Sequence, residues 1–197
     1  MTLHTGTNAI PRRQVVPSGV IAMLLFVATE IMFFASLISA YLVIRAGALE
    51  WPPWGQPRLP VAATSFNTVI LLLSGAALLK AHKTFFREDN SVLPQKLVGI
   101  SIALGVFFVA FQGYEWVQLI QFGLTMVSST YGALFYLIIG THALHAVLAL
   151  LVLFYAYWRL SPARKTKPDS AEFLSMQIFW YFVVGVWPFL YVLVYLI

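Results

Sequence analysis

Long apolar runs alternate with short polar breaks along this chain, and the runs are too long and too uniform for strands. Five of them, at 18–45, 61–81, 96–120, 129–158 and 173–196, can each cross about 30 Å of hydrocarbon, which takes a helix of about 20 residues. Membrane-spanning strands would instead give short segments of alternating hydrophobicity, a pattern these runs do not show. The last two runs carry no Asp, Glu, Lys or Arg, and Glu30 and Glu115 are the only acids inside the other three. The pattern predicts an all-α integral membrane bundle of five transmembrane helices, with 18–197 as a single domain. The connections are "AGALEWPPWGQPRLP", "HKTFFREDNSVLPQ", "QFGLTMVSS" and "LSPARKTKPDSAE". None can fold alone, so function must lie within the bundle or on its sides.

Composition strengthens this picture. With 60% hydrophobic residues, 12 Lys+Arg and 7 Asp+Glu, the chain cannot dress an ordinary water-facing surface with charge. The net charge of +5 raises nucleic acid as a partner, but its distribution argues for a membrane instead. Arg12 and Arg13 precede the first run. Lys80, Lys83, Arg87 and Lys96 lie around the break after the second, and Arg159, Arg164, Lys165 and Lys167 around the break after the fourth. Only Arg45 and Arg58 fall on the other side. Such a split sets orientation by the positive-inside rule, with the N-terminus cytoplasmic and the C-terminus periplasmic. Residues 1–17 are expected to form a retained, mobile cytoplasmic arm rather than a cleaved signal, because the first run is too long for a signal-peptide core. The absence of Cys excludes disulfides and thiolate metal sites.

The residues that hydrocarbon penalises are the functional candidates. Glu30 lies about 18 Å into its helix, near mid-membrane. Ionised against lipid it would cost at least about 2.5 kcal/mol, so it should face protein, pair with another group, or hold its proton. In "YLIIGTHALHAVLAL", His142 and His145 project from one face and reach a depth similar to Glu30 when counted from the opposite side. A carboxyl–imidazole contact is then expected to satisfy both groups. Two His and one carboxylate also resemble a facial metal triad, but no third His lies at that depth, and His4 and His82 fall at or beyond the inner surface. Gly105, Phe108, Gln112, Glu115 and Leu119 share one stripe of the third helix. Glu115 is expected near the outer interface, within reach of water. Asn67, Thr68, Ser74 and Gly75 suit interhelical hydrogen bonds and close packing. Pro188 is expected to kink the last helix. Trp51, Trp54, Trp116, Tyr157 and Trp158 fall near span ends, where amphipathic rings favour headgroups. No nucleophile–base arrangement, phosphate loop or redox-ligand set stands out.

Six ordered segments carry a resemblance: "ATEIMFFASLISAYLVIR", "WPPWGQPRLP", "FNTVILLLSGAALLKAH", "FQGYEW", "YGALFYLIIGTHALHAVLAL" and "FWYFVVGVWPFLYVLVYLI". Over about 18–197 the chain is similar to subunit III of the haem–copper oxidases, in the short five-helix bacterial form that lacks two leading helices. The resemblance implies a non-catalytic accessory subunit of a proton-pumping cytochrome c oxidase in the aerobic respiratory chain, multi-pass in the bacterial plasma membrane. It implies packing against catalytic subunit I and neighbouring subunit II, haem and copper in those partners and none bound directly, and bound phospholipid. Glu30 matches the family's carbodiimide-reactive buried glutamate, His142 and His145 its H-x-x-H, and Glu115 the acid of its Q-x-x-E. Trp51, Arg58, Asn67, His82, Trp116, Trp180 and Trp187 are candidate lipid or subunit contacts. Where the family usually has W-H-F-V-D-V-V-W, Tyr181 and Val184 replace the His and the Asp. Alternatives are an accessory subunit of a quinol oxidase or nitric oxide reductase, a small proton-coupled transporter with Glu30 as carrier, and a metal-dependent membrane enzyme using Glu30, His142 and His145.

Overall fold

The computed structural model describes residues 17–87, 92–161 and 168–197. Most of the expected arm at 1–17, with His4, Arg12 and Arg13, lies outside the described residues, as do Arg164, Lys165 and Lys167. Within them the chain forms five long helices: α1 (Ser18–Ala46), α2 (Val61–Arg87), α3 (Val92–Gln121), α4 (Thr130–Arg159) and α5 (Ser170–Tyr191). A π-helical turn, Val192–Leu196, extends α5. All five are long and apolar enough to cross a membrane. The odd number of crossings puts the start of α1 and the end of α5 on opposite faces; the face that the charge split assigns to the outside is called outer below.

The helices overrun the apolar cores on the basic side. α2 continues to Arg87 and α3 begins at Val92, past the limits of 81 and 96 set by hydropathy. Lys80, Lys83, Arg87 and Lys96 allow this, since long basic side chains run their stems along apolar surface and lift the charge to the headgroups. The ends are closed locally. Ser129 accepts from the Gly132 amide at 3.1 Å to cap α4, and Asp169 accepts from the Glu172 amide at 2.6 Å to cap α5. After α3 the chain turns at Gly123 with φ 90°, a conformation L side chains rarely adopt, and the Leu124 amide returns to Leu119 O at 2.9 Å. At Pro188 the helix runs on through Tyr191, and the backbone then widens into the π turn.

Helices α2, α3, α4 and α5 pack in a closed ring, each on the next, and α1 leans on α5 and, less extensively, on α4. The ring is stitched by polar groups of α2. Trp180 donates its indole N–H to Ser74 at 2.9 Å, Trp187 donates to Thr68 at 2.8 Å, and the Asn67 amide donates to Phe108 O at 3.1 Å. Small residues let the backbones approach: a Cβ on Gly75 would lie 3.0 Å from Val184, and one on Gly105 2.7 Å from the Trp180 ring and 2.8 Å from Leu150. The expectation of close packing at Asn67, Thr68, Ser74 and Gly75 matches these contacts, and all four are buried. Val184, standing where the related pattern carries Asp, is also buried and makes apolar contact with Gly75. By contrast α1 buries only Val20, Phe34 and Tyr41, and leaves Met32 and Val43 73% exposed. Such a face is at home only against lipid or another protein.

Gly105→Ala should therefore lower stability by about 1–3 kcal/mol through overpacking, because the Trp180 ring it strikes is held by Ser74. Gly185→Ala, whose Cβ meets nothing within 4 Å, should leave it unchanged or raise it by up to about 1 kcal/mol, because Ala suits a helix interior better than Gly. Thermal unfolding of the two variants in lipid nanodiscs separates them.

Candidate functional site

Glu30 and Glu115 lie in two separate places, and His142 in neither. At mid-depth, α1 and α4 bring Glu30 and His145 together, with His145 Nε2 2.9 Å from Glu30 Oε2. The other ring nitrogen, Nδ1, lies 2.7 Å from the carbonyl oxygen of Thr141 one turn back. A carbonyl only accepts, so Nδ1 carries a proton and Nε2 is left to face the carboxyl. The contact then holds one proton: the carboxylic acid donates to a neutral imidazole, or an imidazolium donates to the carboxylate. Either form is neutral as a pair, which is the condition for surviving in a low-dielectric slab. Phe34 and Phe179 wall the imidazole at centroid distances of 5.3 and 6.1 Å. The pair is not sealed, since the two side chains remain 12% (His145) and 18% (Glu30) exposed.

His142 does not join it. Three residues back on α4, its ring turns into the bundle, 1% exposed, between Trp187 at 5.0 Å, Phe34 at 6.3 Å and Phe108 at 6.4 Å. Its Nε2 has no hydrogen-bond partner. Among the described residues, no three His, Asp or Glu side chains group as a metal centre requires.

The second place corrects the expectation for Glu115. Rather than reaching water at the outer interface, it is sealed inside at 3% exposure, more deeply than Glu30. Thr64 of α2 lies 3.1 and 3.3 Å from its two carboxyl oxygens, and Gln112, one turn back on α3, donates to Oε2 at 3.2 Å. Gln112 also donates to the Tyr195 hydroxyl at 3.1 Å. Depth alone would wet this carboxyl; the π turn after α5 brings the buried Tyr195 into the cluster and closes it off. The i, i+3 spacing marks Gln112 as a partner, whereas Thr64 and Tyr195 come from distant parts of the chain and leave no local signal.

The remaining candidates divide by position. Trp51 donates to the Tyr41 hydroxyl at 3.1 Å and stacks edge-on against Tyr131, tying the outer loop to α1 and α4. Arg58 stands exposed beside it. Trp116 packs on Tyr136 and is half-buried. At the other end of the bundle, Gln177 Oε1 meets His82 Nδ1 at 3.0 Å and accepts from the Tyr181 hydroxyl at 3.2 Å, so Tyr181 keeps a polar link where the related pattern has His. Expected lipid or subunit contact does not extend to Asn67, Trp180 and Trp187, which are fully buried and bond within the chain.

With this geometry in place, similarity to known proteins becomes informative. The sequence pattern of the family described as "Cytochrome c oxidase subunit III" matches residues 5–197. The chain belongs to the cytochrome c oxidase subunit III family. Cytochrome c oxidase subunit 3 of Synechocystis is 34% identical over 176 residues, covering 89% of this chain and 74% of that protein. The protein of Mycobacterium leprae named "Probable cytochrome c oxidase subunit 3" is 31% identical over 192 residues, 96% of this chain and 92% of the relative. The subunit 3 of Drosophila yakuba is 31% identical over 180 residues, covering 88% and 67%. Within this family member the contact that joins α1 to α4 across mid-membrane is the carboxyl–imidazole pair.

Its energetics can be separated. Glu30→Gln keeps the volume and a hydrogen bond to the imidazole, so the unfolding free energy should change by less than about 1 kcal/mol. His145→Leu strands the carboxyl and should cost about 2 kcal/mol, since an unmet buried polar group costs about 1–3 kcal/mol. The double variant should be milder than the sum of the singles. Chemical denaturation in mixed micelles measures all three.

Proposed function

We propose that the chain is the non-catalytic subunit III of a proton-pumping respiratory haem–copper oxidase of the cytochrome c type, working in aerobic electron transport in a bacterial plasma membrane. The observation that carries this is the family match through residues 5–197, which takes in Glu30, His145 and Glu115 together. The proposed role is support: stabilising the catalytic subunit and its proton uptake. The partners we assign are catalytic subunit I, subunit II and membrane phospholipid, with haem and copper held by the partner chains. The long apolar face of α1, with only three of its residues buried, suits such a neighbour or lipid. The carboxyl–imidazole pair can keep or pass a proton without bringing net charge into the membrane.

Purification in mild detergent tests the assignment. Chains bearing haem and a copper A centre are expected to travel with this one; a quinol-oxidising or nitric oxide-reducing partner would move the chain to a sister complex, and recovery with no haem-bearing chain would defeat the proposal. In the intact complex, Glu30→Gln should leave assembly and initial oxygen reduction at or near the parent level. If electron transfer instead stops at the first turnover with assembly unimpaired, Glu30 belongs to the catalytic machinery and the accessory role fails.

A further inference from the structure

At the outer end of the bundle, beside the Trp51 loop, lies an open pocket of about 410 Å³, a volume typical of small-molecule sites. Val61 at the start of α2 and Leu196 at the end of the π turn line it, which sets it at the ends of the spans, where headgroups lie. Two hydrogen-bond donors of its wall are left unused by the chain. One is Arg58. Of the two basic residues on the outer face among the described residues, Arg45 donates to the main-chain oxygen of Ile197, whereas Arg58 has neither a hydrogen bond nor an ion pair. The other is Tyr131. Its ring is held edge-on against Trp51 at 5.2 Å and the residue is only 4% exposed, yet its hydroxyl makes no hydrogen bond and is not one of the sealed, unpartnered atoms of the bundle. That oxygen is therefore reachable from outside, and the pocket that Tyr131 lines is the opening.

Two unspent donors, one of them charged, define what the pocket accepts. No Asp or Glu lines it; Glu50 lines an adjoining groove with Arg58 but makes no ion pair with it. A cation is repelled by the guanidinium, and a wholly apolar group leaves both donors unmet. An oxyanion satisfies both, because the guanidinium fork presents paired N–H groups to two oxygens of one phosphate and the phenol can donate to another. The rim distinguishes the carriers of such a group. Val61 and Leu196 are exposed, so apolar surface continues from the polar wall toward the bilayer, as the first carbons of acyl chains require and a free ion does not.

We propose that this outer pocket is a phosphate-binding site, built from Arg58 and the Tyr131 hydroxyl, that takes the headgroup phosphate of a membrane phospholipid. It gives the phospholipid partner assigned above a definite place, and it rests on that part of the assignment alone, whichever chains co-purify. Bound phosphate joins Arg58 of the outer loop to Tyr131 of α4, beside Trp51, which already bridges the same two elements. The ligand thereby fastens the loop to the bundle from the side that the chain leaves open.

The test is a cryo-electron microscopy map of the full chain with its co-purifying partners, in nanodiscs of phosphatidylglycerol and phosphatidylethanolamine. A phosphate-sized peak is expected with its oxygens about 2.5–3.2 Å from the Arg58 guanidinium and the Tyr131 hydroxyl, continued by acyl density past Val61 and Leu196. A second map, in maltoside micelles stripped of lipid and supplied with inorganic phosphate, separates the sources. An empty pocket there supports the lipid, whereas a tailless peak in both maps keeps the phosphate site and overturns the lipid as its occupant. A pocket empty in both maps, or filled by a carboxylate of a neighbouring chain, overturns the proposal entirely. Arg58→Gln, an exposed loop change that removes no contact within the chain, should abolish the peak; a peak undiminished in that variant would also overturn the site. Family members that co-purify with this chain do not enter the reading, so the oxidase assignment stands or falls separately.

Discussion

Hydrocarbon gives a hydrogen-bonding atom no solvent to fall back on, so each such side chain must find its partner inside the protein. In this bundle the requirement decides how the helices meet. α2 carries Thr64, Asn67, Thr68 and Ser74 on its buried face, and their partners are Glu115, the Phe108 carbonyl, Trp187 and Trp180. Each such bond contributes only about 0.6 kcal/mol on average in a membrane. Their directionality matters more than their strength: they fix the rotation of α2 against α3 and α5, and Gly75 and Gly105 then let the surfaces close until dispersion supplies most of the adhesion.

The same requirement acts differently on the two acids. Glu115 is met by Thr64 and Gln112 and is walled off, as a group held in place would be. Glu30 has one partner, and that partner has its second nitrogen occupied by the Thr141 carbonyl. A proton can sit on either side of that contact without altering the charge of the pair. Partial exposure of both side chains leaves an approach to it from outside the bundle, which the buried cluster lacks.

Much of this was legible in the chain, for identifiable reasons. Spans declared themselves because about 20 apolar residues have few other uses, and counting depth from opposite faces put Glu30 level with His142 and His145 without choosing between them. The limits of α2 and α3 escaped hydropathy because lysines extend helices beyond the hydrocarbon edge. His142 was expected to share a face with His145, but at about 100° per residue three residues leave the two side chains about 60° apart, enough to aim one at α1 and the other into the core. Glu115 was misplaced because depth fixes distance to water along the helix axis and says nothing of Tyr195 closing from the side. Asn67, Trp180 and Trp187 were grouped with surface contacts, and only the packing of α2 against α3 and α5 assigns them inward.

The attachment of α1 has a mechanical side. Its neighbours hold it through pins at different heights: Glu30 on His145 at mid-depth, Tyr41 under Trp51 further out, and Arg45 donating to the main-chain oxygen of Ile197 at the tip. Between the pins the seam is apolar, with Phe26 against Phe179 and the buried Phe34 against Phe182. A displacement of one helical pitch, about 5.4 Å, would undo every pin together and put no equivalent group in its place. α1 is thus a stave with a single tooth pattern, locked in height while its outward flank stays free to conform to whatever lies beside it.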